Sequence, residues 1–153
     1  MPPPVALPID ALLAQIVETL RRGSRLVLRA APGAGKTTRV PAALLDTGLA
    51  GDKQVLVLEP RRIAARAAAE FVARGRGAGV GGEVGYRVRF EQKGGKATRL
   101  WFVTAGVFSR SLAATPISRT SASSCSTSFT SDTYKAISRS VWCESCKKPY
   151  GPI

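Results

Sequence analysis

Apolar positions recur at helical spacing over residues 11–22, where Leu12, Leu13, Ile16, Val17 and Leu20 share one face. Asp10 precedes that run as an N-cap, and Gly23 closes it. Residues 1–9 read as an extended, Pro-rich lead-in. Residues 25–30 are apolar enough for a buried strand. After a small Gly-containing loop, a helix starting near Lys36 runs to about Leu45, with Pro41 early in it, where a missing N–H costs least.

A second continuous apolar run, Gln54 to Glu59, has the look of a parallel-sheet strand and stops at Pro60. Residues 61–72 are Ala-rich and helical in pattern. Strand, helix, strand, helix in that order predicts an α/β domain with a parallel sheet. Gly75 to Gly82 is a Gly-rich connector that matches no phosphate fingerprint. Residues 83–90 alternate as a strand, 91–97 make a basic turn, 99–103 form another buried strand, and 104–110 lead from it into a short helix.

After about Ala114 the pattern is lost. Residues 115–153 hold 10 Ser and 5 Thr in 39 positions, with Asp132 and Glu144 as the only acids, so an irregular or disordered tail is expected. Cys125, Cys143 and Cys146 all fall there, and the chain has no His. Zinc wants four ligands, so the Cys143–Cys146 pair with Cys125 falls short of a metal site.

Charge narrows the partners. The 153 residues carry 23 Lys and Arg against 10 Asp and Glu, a net +13, which favours an anionic partner, nucleic acid first. No apolar run is long enough to span a membrane, and the start lacks the features of a signal peptide, so a cytoplasmic location is expected. No stable protein partner can be inferred.

The candidate chemistry sits after the first strand, in Ala30-Ala31-Pro32-Gly33-Ala34-Gly35-Lys36-Thr37. The spacing fits the Walker A phosphate loop, with Ala30 in place of its first Gly. Gly33 and Gly35 let the backbone approach a phosphate, and the helix start adds a positive end. Lys36 suits the β- and γ-phosphates of ATP, and the Thr37 hydroxyl suits Mg²⁺. The plainer alternative is an ordinary Gly-rich turn.

Four stretches jointly resemble the DEAH/RHA superfamily 2 helicases, and most of all the bacterial HrpB-like ATP-dependent group. Ala31 to Thr38 resembles motif I, Leu58 to Ala65 motif Ia, Val84 to Glu91 the segment that follows, and Phe102 to Val107 the Thr-x-Gly motif. The resemblance covers about residues 7–113. It implies a partial RecA-like P-loop domain over 1–114, with Gly33, Ala34, Gly35, Lys36, Thr37 and Thr38 around the nucleotide phosphates and Mg²⁺. It also implies that Arg61, Arg62 and Thr104 contact RNA phosphates, and that Gly106 allows close approach. Arg87 and Arg89 would extend that basic track. Ala105 departs from the family, which often has an acid there.

The family's next motif is an Asp-Glu-x-His box, whose carboxylates manage Mg²⁺ and the attacking water. None follows Thr104, so no catalytic residue stands in frame. Yet Ser126 to Asp132 permits the codons TCG ACG AGT TTC ACG AGC GAC. Read from the third base, these give DEFHER, the missing box. Over 115–153 the same shift yields an acidic turn, an apolar strand, that box and an amphipathic helix. The expectation is an out-of-frame tail, begun by a net one-base shift near residues 112–115, on a helicase fragment with weak nucleotide binding, no unwinding and poor fold integrity. The rival readings are a small P-loop ATPase or kinase, with Asp52, Glu59 or Glu83 as its carboxylate, and a non-enzymatic basic RNA-binding fragment.

Overall fold

The computed structural model describes residues 6–23, 25–114, 126–131 and 134–138. A 3-10 turn, Asp10–Leu12, leads into helix α1, Leu13–Arg22. Ile16, Val17 and Leu20 are its buried stripe, while Leu12 is exposed. Gly23 caps the helix by donating its N–H to the Thr19 carbonyl. Asp10 is not the cap that the sequence suggests. Its carboxylate instead accepts the Leu7 N–H at 2.8 Å and faces Arg39.

Strand β1 is Arg25–Arg29, and α2 is Arg39–Asp46. The helix thus begins three residues later than expected. Pro41 cannot donate the bond that would tie it back to Thr37, so residues 36–38 stay in turns. Strand β2, Val55–Glu59, is followed by α3, Arg62–Gly75, which ends three residues later than its pattern implied. Strand β3 is Val84–Val88, β4 is Glu91–Lys93 and β5 is Leu100–Thr104, from which α4, Ala105–Ala114, departs at once.

Strands β2, β5 and β3 lie parallel and side by side, as an α/β order requires. The basic turn expected over 91–97 is partly a strand: β4 runs antiparallel to β3 across a two-residue turn, Arg89-Phe90. Phe90 takes φ 68°, a backbone conformation that bulky residues avoid. Gly85 makes the hairpin possible, since an added Cβ there would stand 2.5 Å from the Lys93 carbonyl.

The tail also differs from its expected irregularity where it is described. Ser126–Ser131 forms β6 and Tyr134–Ser138 forms β7. β6 is polar and Ser-rich, so it has no apolar alternation to read, and β7 is only five residues long. The two strands lie between the first pair, giving the order β1-β7-β6-β2-β5-β3-β4. β7 is antiparallel to β1 and β6, and β6 is parallel to β2. Strands β1 and β2 therefore point the same way, about 14 Å apart at normal strand spacing. Cys125, Cys143, Cys146 and the rest of the 115–153 stretch lie outside the described residues.

One apolar cluster joins α1, α2 and α3 to the sheet, centred on Leu20, Val57, Ala65, Leu100 and Phe102. β5 is buried along its whole length. β1 is less covered than its composition implied. Leu28 is buried, but Val27 on the other face is 63% exposed.

Candidate functional site

All parallel strands end on one edge of the sheet, and the sequence places its candidate residues in the turns that leave that edge. This is the usual binding edge of parallel α/β sheets. Three strand-to-helix turns matter: 30–38 after β1, Pro60-Arg61 after β2, and Thr104-Ala105 after β5.

In the first turn, Gly33 has φ 78° and Gly35 φ 94°. Side chains rarely adopt either value, so glycine is required by the loop's course. The space beside Gly33 is open. Gly35 is crowded, and an added Cβ would lie 2.7 Å from Leu7 Cδ1 and 3.0 Å from Ile9 Cγ2. Ala34 is buried, and its carbonyl accepts the Ile9 N–H at 3.3 Å. Lys36 is only 5% exposed. Its Nζ donates to the Ala30 carbonyl at 2.5 Å and to Ala31 at 2.7 Å, so the ammonium lies inside its own loop. Thr38 donates its hydroxyl to the Gly35 carbonyl at 3.4 Å, and Thr37 is half-buried.

The second and third turns are neighbours, because Glu59 and Thr104 pair across β2 and β5. Both are buried. Arg61 is the extended residue before α3, and it and Arg62 are exposed. Gly106 lies exposed in the first turn of α4. The N-termini of α3 and α4 thus sit side by side, each a partial positive charge. Arg61 and Arg62 thus leave the end of β2, and Gly106 follows Thr104 at the end of the neighbouring strand β5.

Arg87 and Arg89 are not equivalent. Arg87 is half-buried, its guanidinium 4.9 Å from the Trp101 ring centroid. Arg89 is exposed in the β3–β4 turn, 4.7 Å from the Phe90 ring. Since Arg87 pairs with Val103 on β5, that turn lies at the same edge, beside Thr104.

Two polar clusters brace the sheet, one beside this edge and one past the far end of α3, and neither was visible in the sequence. Tyr86 donates its hydroxyl to Glu91, which also pairs with Arg66 of α3 at 3.3 Å. The hydrogen bond to Glu91, then burial, raise the Tyr86 phenol above its ordinary range. Arg76 joins Asp46 and Glu83, both at 2.8 Å. The Asp46 hydrogen bond leads in holding that guanidinium protonated. Such long-range pairs carry no local sequence signal.

Among the described residues, no group of acids, Cys and His could hold a metal ion, and no helix is long and apolar enough to cross a membrane. No family model matches the sequence. Individual relatives do. HrpA, an ATP-dependent RNA helicase of Borreliella burgdorferi, is 35% identical over 106 residues, covering 69% of this chain and 13% of the relative. The ATP-dependent RNA helicase HrpB of Escherichia coli is 38% identical over 112 residues, covering 72% and 14%. A crystal structure of the Escherichia coli DEAH/RHA helicase HrpB superposes with a TM-score of 0.65 at 38% identity, again covering 69% of this chain and 13% of that one. The chain spans only 13–14% of the length of these relatives. Over the stretch they share, the fold and the sequence agree, and this chain is homologous to the DEAH/RHA family of ATP-dependent RNA helicases.

Proposed function

We propose that residues 1–114 are the N-terminal part of a first RecA-like helicase domain, and that the 30–38 loop is its ATP site. The observation that carries this is the loop itself: two glycines at positive φ, then Lys36 and Thr37, at the C-terminal end of β1, which points the same way as β2. Those residues fit a triphosphate. Gly33 offers open backbone, and Lys36 would exchange the Ala30 and Ala31 carbonyls for phosphate oxygens. Gly33, Ala34, Gly35, Lys36, Thr37 and Thr38 would hold the nucleotide, with the Thr37 hydroxyl toward Mg²⁺. ATP, when bound, would supply the phosphoryl group whose hydrolysis drives remodelling.

Arg61, Arg62, Thr104 and Gly106 would hold the RNA backbone. Paired helix N-termini and two exposed guanidinium forks suit phosphate oxygens. Arg89 would lengthen that track, whereas Arg87 is engaged with Trp101. The Mg²⁺ side would be completed by the family's acid box, which does not follow Thr104 in the written frame. Residues 115–153 would be the helicase sequence read out of frame, with the acid box displaced into the silent frame. The chain would then bind nucleotide weakly and would not turn it over.

RNA-stimulated phosphate release by the purified chain tests the activity: none is expected above a no-protein control, and measurable turnover overturns it. Sequencing the coding DNA tests the tail. The expected codons spell DEFHER in the second frame, and any other codons reject the idea. The kinase reading loses ground because Glu59, its best carboxylate, is buried beside Thr104. The net charge of +13 keeps the simple RNA-binding reading alive. A steep salt dependence with no effect of ATP would favour it.

A further inference from the structure

We propose that the N-terminal turn Leu7–Asp10 is a strap that sets the phosphate loop, with Ile9 as its positioning residue. The inference rests on reading 30–38 as the ATP site. Three contacts join the turn to the loop. Ile9 donates its N–H to the Ala34 carbonyl at 3.3 Å. Leu7 and Ile9 close over Gly35 so tightly that no side chain fits between them. Asp10 faces Arg39 Nε at 3.5 Å, and Arg39 Cγ forms the third wall around Gly35. Asp10 also holds the turn closed by accepting the Leu7 N–H.

The consequence follows from peptide geometry. The C=O and N–H of a trans peptide point in opposite directions. With its carbonyl turned toward Ile9, the Ala34–Gly35 peptide directs the Gly35 N–H away from the strap. That is the direction a phosphate-binding amide needs. Flipping this peptide would break the Ile9 bond and aim an oxygen at the phosphate instead. The strap therefore fixes the polarity of the loop's central peptide, and it does so from residues that precede β1.

Two substitutions separate this role from packing. Ile9→Ala removes the side-chain contact with Gly35 but keeps the N–H. Ile9→Pro removes both, on a residue whose φ of −73° proline accepts. In the full chain, both should lower Tm. Ile9→Pro should bind Mg-ATP about tenfold more weakly than Ile9→Ala, since one misdirected peptide costs about the free energy of one hydrogen bond to a charged group. Asp10→Asn, which preserves the turn but drops the charge facing Arg39, should weaken binding by about threefold with unchanged far-UV dichroism. It keeps the test open if the Pro variant does not fold. Leu20→Ala, a buried change on α1, should lower Tm without changing affinity.

Equal affinities for the Ala and Pro variants overturn the strap while leaving the ATP site intact. The same holds if Asp10→Asn binds like the parent, or if Leu20→Ala weakens binding as much as Ile9→Pro does. Absence of Mg-ATP binding by the parent chain overturns the nucleotide reading and the strap together.

Discussion

Lys36 bonds back to Ala31, two residues past the strand that presents the loop, with Nζ 2.7 Å from the carbonyl oxygen. The Ala30 carbonyl takes a second bond from the same ammonium. The lysine thus sits in a closed loop, satisfied by the carbonyls it would leave on meeting a phosphate. Charge-assisted bonds of this kind contribute about 1.5–3 kcal/mol each, and burying the ammonium opposes them by a similar amount. Lys36→Met should therefore shift stability by less than about 1 kcal/mol while abolishing Mg-ATP binding. Urea unfolding and a nucleotide titration on the same sample check both halves.

Gly33 and Gly35 share a backbone conformation but differ in surroundings, which predicts unequal substitutions. Gly33→Ala meets only the conformational penalty, about 1 kcal/mol. Gly35→Ala adds a collision with Leu7 and Ile9, for a total of about 2–4 kcal/mol. Urea midpoints for the two variants should rank accordingly. Equal losses would mean that the N-terminal turn does not close over the loop.

Tyr86 titrates above the ordinary phenol range because Glu91 and burial favour its neutral form. A group whose folded pKa is raised stabilises the fold below its unfolded value, near 10 for tyrosine, and that contribution is lost as pH rises through the folded value. Of the three tyrosines in the chain, one should ionise late in an absorbance titration. Tyr86→Phe should remove that late phase and flatten the loss of stability above about pH 10. If all phases remain, the Tyr86–Glu91 bond does not form in solution.

Arg61 and Arg62 stand exposed beside two helix N-termini. If they touch RNA phosphates, each change to Ala should weaken binding similarly for all sequences. It should also lower the slope of log affinity against log salt by about 0.7 for a single strand. Filter binding across a salt series measures this. An unchanged slope assigns both arginines to solvent.

Much of this edge was legible in the chain. The loop from Gly33 to Lys36 and the Pro60-Arg61-Arg62 stop both rest on local rules, glycine freedom and proline termination, and both stand where expected. The Thr104–Glu59 pairing needed strand order, which sequence spacing does not contain. The start of α2 was misplaced because Pro41 acts at a distance of one turn. Ile9 read as part of an idle lead-in, although it is among the most buried residues of the core. Its role depends on a contact with a loop 25 residues away, beyond any periodic signal. The β6 and β7 strands differ for another reason: backbone pairing with β1 and β2 places them, and the local pattern of these short segments does not.

The central claim is that Lys36 and its loop form an ATP site in this chain. Equilibrium binding of Mg-ATP to the parent chain and to Lys36→Met, compared at matched folded fractions, tests it most directly. Saturable binding by the parent and its loss in the variant is the expected result. Equal binding by both, or none by the parent, would contradict it.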